Sequence, residues 1–283
     1  MRIVRLFKTT CLLFVLLTVC IRARAQYVED TTVHHGKYLS IGARRSGICF
    51  GNSHTYSGFR FNLLDKKVKK INGFNMAFFS KTQRMNGFAL GIVADNDSVG
   101  NGLAISTAFT GGEYRNGIAI GGLMCGQQRM NGLGIGGIYY AAGVLNGIEL
   151  TFGWSWTKKL NGFAFGGVVA SCDSVNGVCI GGDVVCGYKD TTAHGHDTSY
   201  GRLSGVAIAL FRTAATKLNG LAITLCYNQI IQQHGVTIAV YNNSTELRGI
   251  QIGLINHAAN NPRGLRWLPF INMHLRKSKV DSH

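Results

Sequence analysis

Arg129-Met130-Asn131-Gly132-Leu133-Gly134-Ile135-Gly136-Gly137-Ile138-Tyr139 sets an Asn-Gly pair ahead of alternating large and small apolar residues, and the phrase recurs along almost the whole chain. Its glycines are Gly58, Gly73, Gly87, Gly102, Gly117, Gly132, Gly147, Gly162, Gly177, Gly205, Gly220, Gly235, Gly249 and Gly264. Ten of the thirteen steps are 15 residues and two are 14; the long one, Gly177 to Gly205, is 28, one period plus an insertion of about 13 residues. A short period sustained through 283 residues predicts one elongated domain whose size comes from stacking units.

Within each phrase, residues one, three and five after the glycine are usually large, as in Phe88, Leu90 and Ile92, and those at two and four are small, as in Ala89 and Gly91. Period-two alternation over five to seven residues is the mark of a strand, and no segment keeps helical spacing. The large row, Ile135 included, is expected to face a core, and the small row to face outward. Nine marks follow asparagine: Asn72, Asn86, Asn101, Asn116, Asn131, Asn146, Asn161, Asn176 and Asn219. Asn-Gly readily takes left-handed backbone angles at a corner, so these amides are expected to stack from unit to unit as a structural ladder. Ser57, Ser204, His234, Arg248 and Arg263 replace asparagine at the other marks and should interrupt it.

Two all-β architectures accept 15-residue units. A repetitive parallel β-solenoid of about 14 units places an equivalent corner in every unit, with large residues and asparagine inside. An antiparallel outer-membrane β-barrel, with about 11 residues per strand, also fits the spacing. Single units repeat rather than hairpins, both strand faces are apolar or glycine, and long loops do not alternate with short turns, so the solenoid is the expectation. The spacing fits one unit or two per coil.

Residues 1–25 read as a secretory signal peptide: Arg2, Arg5 and Lys8, an apolar core from Leu12 to Val19, and Ala23-Arg24-Ala25 as a cleavage site. The core is too short for a spanning helix, and Val19 is bulky for the residue before a lipidated Cys20. Residues 26–55 form an irregular lead-in that caps the first coil, 56–275 the repeat domain with an inserted loop at 187–203, and 276–283 a basic tail. Five of the 29 Lys and Arg and none of the 13 Asp and Glu fall in residues 1–25, which leaves 24 against 13 and a net charge of +11. Pro262 and Pro269 both fall in the last unit, where missing N–H groups matter least and an open edge is protected.

A basic chain favours anionic partners, and an envelope glycan or lipid, or another surface protein, fits better than nucleic acid. Most bases sit in turns, where solvated charge is ordinary; Lys66-Lys67-Val68-Lys69-Lys70 is the one cluster. In the insertion, Asp190, His194, His196 and Asp197 form a candidate binding loop, yet His-Gly-His-Asp in a polar loop has no fixed geometry for one ion, and the same holds for His34-His35. Cys49, Cys125, Cys172, Cys179, Cys186 and Cys226 follow no ligand spacing. Cys172 and Cys186, 14 apart, could lie on adjacent coils, but burial as small apolar residues is the simpler reading. No metal site or cofactor is expected.

Arg248-Gly249-Ile250-Gln251-Ile252-Gly253-Leu254-Ile255-Asn256, followed by Asn261-Pro262-Arg263-Gly264-Leu265-Arg266-Trp267-Leu268-Pro269-Phe270-Ile271-Asn272, resembles the surface repeat-containing proteins first named in leptospires and abundant in Bacteroidota. The resemblance covers roughly residues 56–275. It implies an exported bacterial protein of unassigned activity and supplies no catalytic residues.

The function expected from these features is a non-catalytic structural or interaction scaffold, secreted or held at the cell surface or outer membrane. A membrane channel follows from the barrel alternative, and a polysaccharide-active β-helix enzyme is the second alternative. Against the enzyme, Glu149, at a nominally outward position, and Asp183 are the carboxylates within strand phrases, and no pair sits at matching offsets for acid–base work.

Overall fold

The computed structural model describes residues 25–29, 37–43, 45–187 and 201–275. The chain is a parallel β-solenoid of about 13 turns. Its strands are β1 (Ala25–Glu29), β2 (Lys37–Ala43), β3 (Ser46–Gly51), β4 (Thr55–Leu64), β5 (Val68–Gly121), β6 (Met124–Gly136), β7 (Tyr139–Thr151), β8 (Trp154–Cys186), β9 (Arg202–Thr224), β10 (Tyr227–Ile238), β11 (Tyr241–Ala258) and β12 (Trp267–His274). Pairing follows chain order and is parallel wherever repeats meet: Gly58 opposes Gly73, Gly132 opposes Gly147, and Gly220 opposes Gly235. Partners one unit apart mean one unit per coil. Parallel pairing of successive units also rules out the up-and-down barrel, and the channel reading falls with it.

Two compact units divide the chain, 1–103 and 104–283. In the first, the parallel ladder begins earlier than Gly58: β3 places Gly47 opposite Gly58, eleven residues away, and Ser46-Gly47-Ile48-Cys49-Phe50 is a coil phrase outside the period. Before it the direction reverses, with β1 against β2 and β2 against β3 antiparallel, so the lead-in closes the ladder as a small meander. In the second unit, β12 turns back antiparallel on β11 and puts Pro269 in an edge strand. Gly264 is not a coil mark: it lies in a 3-10 turn, Arg263–Leu265, with ordinary backbone angles. Where a 14-residue step occurs, Tyr227 opposes Tyr241 and Ile238 opposes Ile252, so the register absorbs the shorter unit without a bulge.

The marked glycines from Gly58 to Gly249 have φ between +105° and +148°, beyond the left-handed helical region expected for the corner. Their asparagines keep negative φ. A Cβ on Gly147 would lie 2.1 Å from the carbonyl oxygen of Gly132, and one on Gly162 2.0 Å from that of Gly147. Glycine is therefore required twice over, by angle and by the close approach of successive coils.

The two rows lie opposite to expectation. Ala104, Ala119, Ala164, Ala207 and Ala222, two residues after their glycines, are fully buried, while Ile118, Ile148, Phe165 and Ile208 of the large rows are exposed. Ile135 is half-exposed rather than core. Size explains the inversion. The two walls of a 15-residue coil face each other across a gap of about 10 Å, and that gap is already filled by a large residue two before each glycine: Met130, Leu145, Leu160, Leu203 and Leu218. Opposite these stand small side chains, or polar ones such as Arg60, Asn75 and Glu149 that bond to partners inside the coil. At Gly134 even a methyl would strike the Tyr140 ring, 2.3 Å away, because that ring fills the space from the far wall.

Two expected outcomes follow. Ala164→Leu overpacks the coil and costs about 1–3 kcal/mol, whereas Ile135→Lys leaves the coil folded with an unchanged β spectrum; a thermal melt of the first and circular dichroism of the second read this directly. The insertion joins Gly187 to Gly201, whose backbones touch, and β8 and β9 pair in parallel, Gly177 with Gly205 and, after a one-residue register shift between Gly181 and Asp183, Cys186 with Ala215. Replacing residues 188–200 by a short Gly-Ser link therefore changes stability by less than about 1 kcal/mol in a chemical melt.

Candidate functional surface

Along one corner the asparagines form amide ladders that face solvent rather than the interior. In the first unit Asn72 Nδ2 donates to Ser57 Oγ at 3.4 Å, Asn86 Nδ2 to Asn72 Oδ1 at 2.8 Å, and Asn101 Nδ2 to Asn86 Oδ1 at 2.7 Å. In the second, Asn131 donates to Asn116, Asn146 to Asn131, Asn161 to Asn146 and Asn176 to Asn161, all at 2.8–2.9 Å. Asn176 is followed in register by Ser204, and Asn219 faces His234, whose imidazole pKa is pushed down by burial, Lys217 and Arg248.

Beside the ladder lie the large outward rows. In the first unit they are aromatic, with Phe74 stacked on Phe88 at 5.2 Å and Phe50 on Phe61 at 5.4 Å. In the second they are aliphatic except for Phe163 and Phe165, and Ile208, Ile223, Ile238, Ile252 and Ile271 line a shallow apolar groove. On the other side of the ladder, three residues before their glycines, stand Arg129, Lys159, Arg202 and Lys217, four bases in a row that also carries Tyr114, Val144, Ser174, Gln232 and Glu246. A separate apolar cleft, lined by Tyr139, Trp154, Trp156 and Val168, opens on another wall of the second unit.

The interior is more polar than a small-residue row implies. In the first unit Arg60 is fully buried; its Nη1 donates to Asp65 Oδ1 at 2.6 Å and Asn75 Oδ1 at 2.8 Å, and its Nε to Ser53 Oγ at 3.1 Å. Asn75 and Ser80 saturate the other Asp65 oxygen at 3.2 and 3.0 Å. Such a pair is an internal strut, since breaking it would strand a buried charge. The second unit holds an asparagine ladder that the Asn-Gly phrase does not announce: Asn228 donates to Asn242 at 2.9 Å and Asn242 to Asn256 at 2.8 Å, and Asn256 reaches the Leu268 carbonyl at 3.3 Å, tying β12 to the coils. Its signal is a second 14-residue spacing, visible in Tyr227-Asn228, Tyr241-Asn242 and Asn256.

Glu149 is inside, not outward as its place in the phrase suggested. Ser155 Oγ and Thr157 Oγ1 donate to its two oxygens, the latter at 2.9 Å. Burial pushes its pKa up to about 7 against the pull of those two hydroxyls. Asp183 is half-exposed and pairs weakly with Arg212 at 3.4 Å. The two carboxylates are thus on opposite sides of the coil wall. Cys49, Cys125 and Cys179 are buried with thiol pKa values raised chiefly by desolvation, which makes them packing groups. The Cys172 side chain, His34-His35 and the loop residues Asp190, His194, His196 and Asp197 lie outside the described residues. Among the described residues no group of three His, Cys, Asp or Glu is placed to hold a metal.

No protein-family model matches this chain, and no curated protein or solved structure matches it either.

Glu149 gives a pH test. Its folded pKa, about 7, lies above the ordinary 4.5, so the folded state holds the extra proton between those values. Stability is then full below about pH 4.5, falls as pH rises toward 7 and levels off above, by an amount on the order of 1–3 kcal/mol. In Glu149→Gln this slope is absent, and the variant is the more stable of the two at pH 8; denaturant melts across pH 4–8 read the difference.

Proposed function

We propose that the protein is an exported, non-catalytic scaffold of the bacterial surface that engages partners through the outward rows of its coils. The observation that carries this reading is where the regularity lies. In the second unit the inward position two after each glycine is alanine in four of nine coils, Ala119, Ala164, Ala207 and Ala222, and differs in polarity and size in the rest, Gly134, Glu149, Cys179, Thr237 and Gln251. The outward position next to it, from Ile120 to Ile252, is isoleucine in seven of nine coils, with Leu150 and Phe165 as the exceptions. Folding needs the inside to fit and leaves an outward position free, so uniformity outside supports a demand made by a surface.

Export is supported by the charged, apolar and small-residue order of residues 1–25, and the surface by the resemblance of residues 56–275 to surface repeat proteins. The bases beside the ladder suit an anionic envelope glycan or lipid, or an acidic patch on another surface protein. The enzyme alternative loses one of its two strand carboxylates, because Glu149 is sealed inside the coil, and the other, Asp183, pairs with Arg212.

Surface biotinylation of intact cells followed by a glycan and lipid array with the purified chain tests the proposal. Labelling of the chain together with retention on at least one envelope component, without release of reducing ends from uronic-acid polymers, is the expected result. Confinement to the cytoplasm, or measurable depolymerisation, would overturn it.

A further inference from the structure

We infer that the outward apolar face of the second unit is a self-association surface, on which a second copy of the chain packs face to face. The inference rests on the scaffold reading and names the first partner such a scaffold takes.

The face is made of the rows one and three residues after each glycine. Over the nine coils from Gly117 to Gly249 all eighteen positions are Ile, Leu, Val or Phe, with no charged or polar residue among them. Each side chain stands in register with its neighbour: Ile120 beside Ile135, Ile135 beside Leu150, Ile223 beside Ile238, and Ile238 beside Ile252. Ile252 is followed by Ile271 of β12, which extends the row onto the last strand. Although packed against two neighbours, Ile208, Ile238 and Ile252 remain 37–39% exposed. Parallel sheets are normally covered on both faces, and here the coil interior covers only one.

Size, period and charge choose the occupant. Nine strands about 4.8 Å apart, each presenting about 10 Å of apolar length across its two rows, give a face on the order of 400 Å², and Leu225, Val240 and Leu254, which line the same groove, widen it toward the ~800 Å² per partner of a stable interface. Ridges repeating every 4.8 Å mesh best with a surface of the same repeat, and a second copy supplies one coil for coil, at the ~10 Å spacing of stacked sheets. A two-fold axis parallel to the stacking direction sends the bases Arg129, Lys159, Arg202 and Lys217 of the two copies to opposite edges of the interface. An axis along the strands would bring them together and is disfavoured. The apolar centre then lies between polar rims, each an asparagine ladder.

Sedimentation equilibrium of the purified full chain without detergent tests this, with circular dichroism as the measure of fold. The expected result is twice the chain mass at micromolar concentration. Ile223→Lys with Ile238→Lys should give a monomer with an unchanged β spectrum, and Ile231→Lys, exposed on another wall, should leave the dimer intact. The mass of the unchanged chain decides the matter even if the double variant does not accumulate: a monomer at about 100 μM, a hundredfold above micromolar Kd, overturns the inference. A dimer that survives the two lysines overturns it as well. Flotation with phosphatidylcholine–phosphatidylglycerol vesicles separates the remaining case. A monomer that floats, and ceases to float in the double variant, assigns the face to anionic lipid; the second copy is then wrong while the scaffold reading stands.

Discussion

The structure depends on one contact, the seating of each marked glycine against the carbonyl oxygen of the glycine one coil earlier. At Gly132, Gly147, Gly162 and Gly177 a β-carbon would come within about 2 Å of that oxygen, a distance no side chain can occupy. Because φ there is also far positive, substitution would meet both a clash and a backbone penalty. The contact pins the register of every coil to the one before it. Register in turn decides which parity faces inward, and in a strand a slip of one residue would turn every inward side chain outward. The outer asparagine ladders reinforce the same register, but as exposed amide bonds each adds only about 0.5–1.5 kcal/mol at most.

With register fixed, the narrow interior sets what can be inside. One large residue per coil, two before the glycine, fills most of the space, so its counterparts must be small or must bond to each other. This accounts for the two kinds of interior. Where the counterparts are Ala119, Ala164, Ala207 and Ala222, packing alone suffices. Where they are Asn228, Asn242 and Asn256, or Arg60, Asp65 and Asn75, every group is placed against a complementary one, as burial of polar atoms requires.

Much of this was legible in the sequence, and the rest fails for identifiable reasons. The period of Asn-Gly phrases, from Gly58 to Gly249, led to the parallel solenoid, and alternation led to strands. Which row faces inward was misread because size was taken as a proxy for burial. That proxy assumes a roomy core, and Met130, Leu145 and Leu160, which already fill the coil, precede the Asn-Gly phrase. The same misreading placed Glu149 outside. Gly264 resembled a mark because Arg263-Gly264-Leu265 has the right letters, but Pro262 and the following turn take the chain off the ladder. Gly47 stands outside the period because its step to Gly58 is eleven residues. The inner asparagine ladder keeps its own spacing away from any glycine, so a search keyed to Asn-Gly does not meet it.

An inside that varies and an outside that repeats invert the usual relation between core and surface. A coil interior tolerates Glu149 beside Ala164 because each coil makes its own small core, and a poor fit can be relieved locally by hydroxyls such as those of Ser155 and Thr157. An outer face cannot be relieved in that way if something rigid lies on it, since one polar residue among the rows would be left without water or partner at the contact. Solvent imposes no such rule: each outward isoleucine could be lysine or threonine at little cost to the fold, and solubility would gain. Eighteen apolar positions without an exception are therefore evidence about what the face meets, and they make the stacked coils a template whose 4.8 Å period is displayed to a partner rather than hidden in a core.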